Sequence, residues 1–152
     1  KKLTEARRLE LREIIREQSL AWAVASCSVQ EIDEINILNA SILAMHRALD
    51  ALSVRPESVI VDGNRFKPYG SLPWRTFVKG DGRFANIAAA SILAKTCRDD
   101  HMTALAAEHP AYGWDVNKGY PTKAHRAAIA AHGATPHHRT TFRLLDPQLT
   151  LF

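Results

Sequence analysis

Two aspartates carry the clearest chemical signal in this chain. Asp62 closes the apolar run Val59-Ile60-Val61 and leads into Gly63-Asn64, while Asp81 follows Thr76-Phe77-Val78 through Lys79-Gly80 and leads into Gly82-Arg83. β-Branched and aromatic residues bounded by Gly, Pro, Asn and Asp favour a strand that ends in a turn. In open α/β sheets ligands collect beyond the carboxyl ends of the strands, so carboxylates at two such ends can face one crevice and share a metal ion. The same dipeptides are also turn chemistry, because Asp bonds its own backbone and Gly accepts positive φ. On spacing alone the turn reading comes first. Asp99-Asp100 is a poorer pair, since adjacent helix positions diverge by about 100° and rarely share an ion.

Two further stretches hold groups that bind anions or rings. Tyr112 to Thr122, YGWDVNKGYPT, reads as a loop whose aromatics either stack on sugars and bases or anchor the loop on the core. His137-His138-Arg139 follows Pro136 and offers phosphate contacts, whereas a zinc reading lacks further ligands at a suitable spacing.

The elements that must place these groups follow from periodicity and caps. Thr4 caps a helix from Glu5 to about Gln18, with Leu3, Ala6, Leu9, Ile14 and Ile15 near one side. Leu20 to Cys27, LAWAVASC, alternates large and small residues and predicts a strand, with its alanine content leaving helix open. Ser28 and Glu31 form a capping box, and Ile32, Ile35, Leu38, Ile42, Met45 and Leu49 predict one helix behind it. Glu31, Asp33 and Glu34 suit the positive end of that helix. Arg65 to Trp74, with Pro68, Gly70 and Pro73, reads as irregular. A long helix begins by Asn86 and stops at Pro110; Thr122 caps a last one that runs to about Ala131 and stops at Gly133.

Composition sets the bounds. A chain of 152 residues, 46% hydrophobic, suits one core, and 20 Lys and Arg against 16 Asp and Glu give a net charge of +4 that fits a polyanionic partner. Cys27 and Cys97 sit in apolar patterns without metal-ligand spacing, which points to buried thiols in a reducing cytoplasm. No apolar run approaches the roughly 20 residues of a membrane span. The chain opens at Lys1-Lys2-Leu3 without Met, so a piece of a longer protein is expected.

Taken in order, Lys1-Lys2-Leu3, EIDEINIL at Glu31 to Leu38, VDGN at Val61 to Asn64, VKGD at Val78 to Asp81, AAASILAK at Ala88 to Lys95, KGYPT at Lys118 to Thr122 and HHR at His137 to Arg139 resemble bacterial ribonuclease HII. The resemblance covers nearly the whole chain and reverses the preference for the turn reading. It implies a ribonuclease-H-like α/β fold, a mixed sheet flanked by helices, here as the central and C-terminal part, residues 1–152, of a single catalytic domain. The implied enzyme cuts the RNA strand of RNA/DNA hybrids and cuts at single ribonucleotides embedded in duplex DNA, with four carboxylates and Mg²⁺ or Mn²⁺. By motif match Asp62 is the third acidic residue and Asp81 the fourth, both catalytic metal ligands. Tyr120 resembles the tyrosine that packs on the sugar beyond the scissile ribonucleotide. Lys1, Lys2, Lys118, His125 and Arg139 lie in motif regions where phosphate contact is expected, with a solvated charge or a structural hydrogen bond as the alternative.

The family pattern departs here in one large respect: its upstream DEVGRG-type motif, source of two carboxylates and of the backbone that senses the 2′-hydroxyl, has no counterpart in these residues, nor do the family's first strands. The expectation is that this chain alone folds or binds metal poorly. Smaller departures are Asn117 before KGYPT and Thr140-Thr141 after HHR. A cytoplasmic monomer with no membrane association is expected. Two other readings stay open: a catalytically incomplete nucleic-acid-binding fragment, and a metal-dependent phosphatase built on strand-end aspartates.

Overall fold

The structure is a computed structural model that describes residues 3–142 and 144. The chain divides into two compact units that interleave in sequence, Lys1–Cys27 with Leu38–Cys97, and Ser28–Ile37 with Arg98–Phe152.

In the first unit, α1 (Glu5–Gln18) starts where Thr4 Oγ1 accepts the Arg7 N–H. It buries no residue, and Arg7–Glu10, Arg12–Glu13 and Arg16–Glu13 pairs line its surface. The strand expected at Leu20 to Cys27 is corrected. Its side chains do alternate, with Ala21, Ala23, Ala25 and Cys27 half-buried and Leu20, Trp22 and Val24 exposed, but the segment joins no ladder among the described residues. It is held instead by side chains: Arg47 donates to the Ser26 carbonyl at 3.1 Å, Cys27 Sγ to the Ala40 carbonyl at 3.2 Å, and the Arg16 guanidinium lies 4.9 Å from the Trp22 ring. Period-two burial makes an extended chain, but only backbone pairing makes a strand.

Helix α2 (Val29–Asp50) opens on the expected capping box, with Glu31 N–H donating to Ser28 Oγ and Ser28 N–H to Glu31 Oε2. One uninterrupted helix is corrected: Asn36 leaves helical geometry at φ 65°, ψ 163°. At that ψ the residue lies outside the αL well that Asn tolerates, so the kink holds Asn36 in strained backbone geometry.

Strands β1 (Val59–Asp62) and β2 (Trp74–Phe77) pair in parallel, with Val59 opposite Trp74 and Asp62 opposite Phe77. The second strand thus begins two residues earlier than Thr76-Phe77-Val78 suggested, and Val78 lies outside it, 62% exposed. Parallel partners need a crossover. Gly63 to Pro73 supplies it without regular structure, packed by the rings of His46, Phe66, Tyr69 and Trp74 and by His46 Nε2 against the Lys67 carbonyl at 3.1 Å. Helix α3 (Ala85–Glu108) follows, with Ile87 and Leu93 buried in its first half.

The second unit is built on Leu105, Ala106, Tyr112, Trp114 and Ile129, with Met102, Ala128 and Leu144 packed against them. The expected loop from Tyr112 to Thr122 contains a one-turn helix, α4 (Trp114–Asn117). Helix α5 (Lys123–His132) is capped by Thr122 Oγ1, which accepts the His125 N–H, and ends at Gly133 with φ 81°. Glycine suits that exit because an L side chain is strained there.

Asp33 does more than face a helix dipole. Its carboxylate accepts four hydrogen bonds, from the hydroxyls of Thr141 and Thr140 and from both their backbone N–H groups. The Thr141 hydroxyl first, and then that of Thr140, lower its pKa from 3.8 to about 2. A folded pKa below the unfolded one means that stability from this clamp is complete above the ordinary value and declines as pH falls towards about 2. Asp33→Asn should therefore flatten the acid limb of a urea-midpoint against pH curve; an unaltered limb would show that the clamp contributes nothing.

Candidate active site and nucleic-acid interface

Asp62 and the turn that carries Asp81 meet at one end of the β1–β2 pair. Asp62 is the last residue of β1 and is exposed; its Oδ1 accepts the Gly80 N–H at 2.8 Å. Gly80 opens the 3-10 turn Gly80–Gly82 that presents Asp81, also exposed. Lys79 enters this turn at φ 57°, and the Arg83 and Phe84 N–H groups close it on the Gly80 carbonyl. Glycine is needed at 80 for close approach: an added Cβ would lie 2.6 Å from Ile87 Cδ1 and 3.3 Å from Phe77 Cβ. A single backbone hydrogen bond thus ties the strand-end carboxylate to the turn that carries the other one.

Their chemistry fits a hard divalent cation. The Gly80 bond occupies Oδ1 of Asp62 and leaves Oδ2 outside it. Magnesium-type sites take one or two carboxylates and fill the remaining positions with water and substrate phosphate oxygens. Among the described residues no three His, Cys, Asp or Glu side chains gather to hold a metal.

In the second unit the aromatic loop divides its labour. Tyr112 and Trp114 are buried, stacked at 5.1 Å between centroids, so for them the core-anchor reading holds. Tyr120 is 55% exposed, with the Arg98 guanidinium 5.0 Å from its ring centroid. Arg98 also donates to the Lys118 carbonyl at 2.8 Å, across a backbone in left-handed geometry at Lys118 and Gly119. Arg139 lies against the Phe142 ring at 3.6 Å. Burial, then the nearby Arg98 cation, lowers the Arg139 pKa, and Asp33 opposes this. Two guanidinium groups that repel each other beside an exposed ring favour an anionic, ring-bearing ligand.

Behind that surface lies a buried polar chain. His125 and His138 are 5% and 6% exposed. Trp114 Nε1 donates to His125 Nε2 at 3.0 Å, His138 Nε2 sits 3.2 Å from the same atom, and His125 Nδ1 is 3.0 Å from the Tyr120 carbonyl. The Thr135 N–H donates to His138 Nδ1 at 3.0 Å. Burial, and then His125, push the His138 pKa below the ordinary imidazole value. The structure buries His125 and turns both its ring nitrogens to protein groups inside the unit, the arrangement expected of the structural hydrogen bond that was the alternative to phosphate contact.

Lys118 Nζ donates to Thr103 Oγ1 at 2.7 Å and its side chain runs along α3. Lys1 and Lys2 lie outside the described residues. Arg98 and Asp33 are the residues the sequence reading missed; Arg98 lies one turn beyond the AAASILAK motif, and nothing local marks it as the partner of Tyr120.

No helix among the described residues is long and apolar enough to cross a membrane. A model of the ribonuclease HII family matches residues 1–145. The chain is 62% identical over 153 residues to Ribonuclease HII of Phocaeicola vulgatus, covering 99% of this chain and 76% of that protein. It is 57% identical over 151 residues to Ribonuclease HII of Dechloromonas aromatica, again covering 99% and 76%. The crystal structure of the ribonuclease H2 from Pyrococcus horikoshii OT3 shares the fold, with a TM-score of 0.77 at 22% identity over 94% of this chain and 75% of that one. A match along almost all of the chain, relatives above half identity and a common fold lead to one assignment: the chain belongs to the ribonuclease HII family of endoribonucleases.

Proposed function

We propose that this chain serves hydrolysis of the RNA strand in RNA/DNA hybrids and incision at single ribonucleotides embedded in duplex DNA, with Asp62 and Asp81 as ligands of Mg²⁺ or Mn²⁺. The observation that supports this reading is the Gly80 N–H bonded to Asp62, which ties Asp62 to the turn that carries Asp81. A divalent ion bound there supplies an activated water and stabilises the leaving oxygen of a phosphodiester. The chain's own part is to hold Asp62 at a fixed angle through Gly80 and to present Asp81 from a closed turn. Tyr120 offers an exposed ring, backed by Arg98, that packs on the sugar at the RNA-to-DNA junction, while Arg98, Lys118 and Arg139 supply cations for the phosphate backbone. Both cysteines are free thiols, which fits a reducing, cytoplasmic setting.

The test is cleavage of a labelled DNA duplex with one ribonucleotide, and of a uniform RNA/DNA hybrid, with Mg²⁺, with Mn²⁺ and with EDTA. Metal-dependent cuts at the ribonucleotide support the reading; binding without cleavage would favour a nucleic-acid-binding role instead. Tyr120→Ala should lower cleavage at the lone ribonucleotide about tenfold, the scale of one stacking contact, with little change in thermal stability. A matching fall in stability would mark Tyr120 as a core anchor.

A further inference from the structure

We propose that His125 is the positioning residue for Tyr120, set in the required tautomer by His138 and Trp114, a role that presupposes the junction-reading function of Tyr120 given above. Donors whose protons are fixed covalently decide the arrangement. The indole N–H of Trp114 points to His125 Nε2, so that nitrogen is an acceptor and a neutral His125 carries its proton on Nδ1. Nδ1–H then donates to the Tyr120 carbonyl at 3.0 Å. From the other end, the Thr135 backbone N–H points to His138 Nδ1, so His138 carries its proton on Nε2 and donates it to His125 Nε2 at 3.2 Å. Trp114 and His138 thereby share the one lone pair of His125 Nε2, and the Thr135 hydroxyl lies 2.9 Å from His138 Nδ1 beside the backbone donor.

The consequence falls on Tyr120. Its N–H donates to the Asn117 carbonyl at 2.9 Å, and its carbonyl accepts from His125 and from the Thr122 N–H at 2.8 Å. Pro121 follows and restricts the backbone before it. With both peptide groups of Tyr120 pinned, the direction of its Cα–Cβ bond is set, and the Arg98 guanidinium lies 5.0 Å from the centroid of the exposed ring. His125 reaches from the buried core to the backbone of the exposed tyrosine. Burial of two imidazoles with every ring nitrogen engaged is a costly way to fill a core that apolar side chains could fill, and positioning an exposed ring gives it a use.

Two substitutions separate the jobs of the two nitrogens. His125→Asn keeps an amide donor near the Nδ1 position and loses the Nε2 acceptor; His125→Gln keeps a polar group near Nε2 and loses the donor to Tyr120. In the intact enzyme, the readout is the ratio of kcat/KM at a single ribonucleotide in duplex DNA to kcat/KM on a uniform RNA/DNA hybrid, taken well below both melting temperatures. His125→Gln should lower this ratio about threefold to tenfold, the worth of one hydrogen bond, while His125→Asn holds it within about twofold. Equal ratios for the two variants overturn the assignment, as would a His125→Gln effect that persists undiminished in a Tyr120→Ala background. If Tyr120→Ala itself leaves the ratio unchanged, the junction reading falls and the positioning role falls with it; a lowered ratio there with an unchanged one in His125→Gln removes only the positioning role. Should either variant fail to fold, ¹⁵N spectra of the histidine rings in the unsubstituted enzyme decide: Nδ1–H for His125 and Nε2–H for His138 support the chain, and the opposite tautomers overturn it.

Discussion

Asp62→Asn should reduce cleavage roughly a thousandfold or more, the scale seen when a group that acts on the transition state is removed, while hybrid binding largely survives. Asparagine has the size of aspartate, and its amide oxygen can still accept the Gly80 N–H, so the strand end and the 80–82 turn keep their geometry. What is lost is the negative charge and the second hard oxygen, the two properties a divalent cation requires. Thermal unfolding should therefore change little, and a filter-binding measurement on an uncleaved hybrid should change far less than turnover. Wild-type turnover in this variant would remove Asp62 from the metal site; a large fall in melting temperature would reassign it to holding the turn.

The largest effect on stability is expected at Trp114. Its side chain is 2% exposed, stacks on Tyr112 and donates its indole N–H to His125. Trp114→Ala should destabilise the second unit by about 3–5 kcal/mol, through lost burial and the cavity left behind. Trp114→Phe keeps most of the ring contact and forfeits the hydrogen bond, for a smaller cost of about 1 kcal/mol beyond the packing change. Urea unfolding followed through a probe in this unit measures both. Near-equal midpoints for Trp114→Ala and the unsubstituted protein would mean that the cluster relaxes around the gap and is not the core of the unit.

The features legible in the sequence are those whose cause lies within a few residues. Thr4, the Ser28–Glu31 box and Thr122 each bond backbone groups two to four positions away, and each stands where its residue type placed it. The two strands, the aspartate that ends the first and the turn that carries the other were readable for the same reason, since an apolar run and the turn after it are neighbours in the chain. The resemblance of the motifs to ribonuclease HII was also contained in local strings, and the matching family model agrees with it.

What only the tertiary structure decided depends on groups far apart in sequence. Leu20 to Cys27 has the alternation of a strand, yet strand formation requires a partner backbone, which no local pattern supplies. Asn36 lies within the helix period and still breaks it, a departure that no local pattern announces. Asp33 meets Thr140 across 107 positions, and the chain from Thr135 through His138 and His125 to Tyr120 draws its members from both flanks of α5. A histidine's burial, and hence whether its nitrogens meet phosphate or protein, is set by that long-range packing: residue type named His125 as a group able to bind an anion, and the fold buries it with Nδ1 facing the Tyr120 carbonyl.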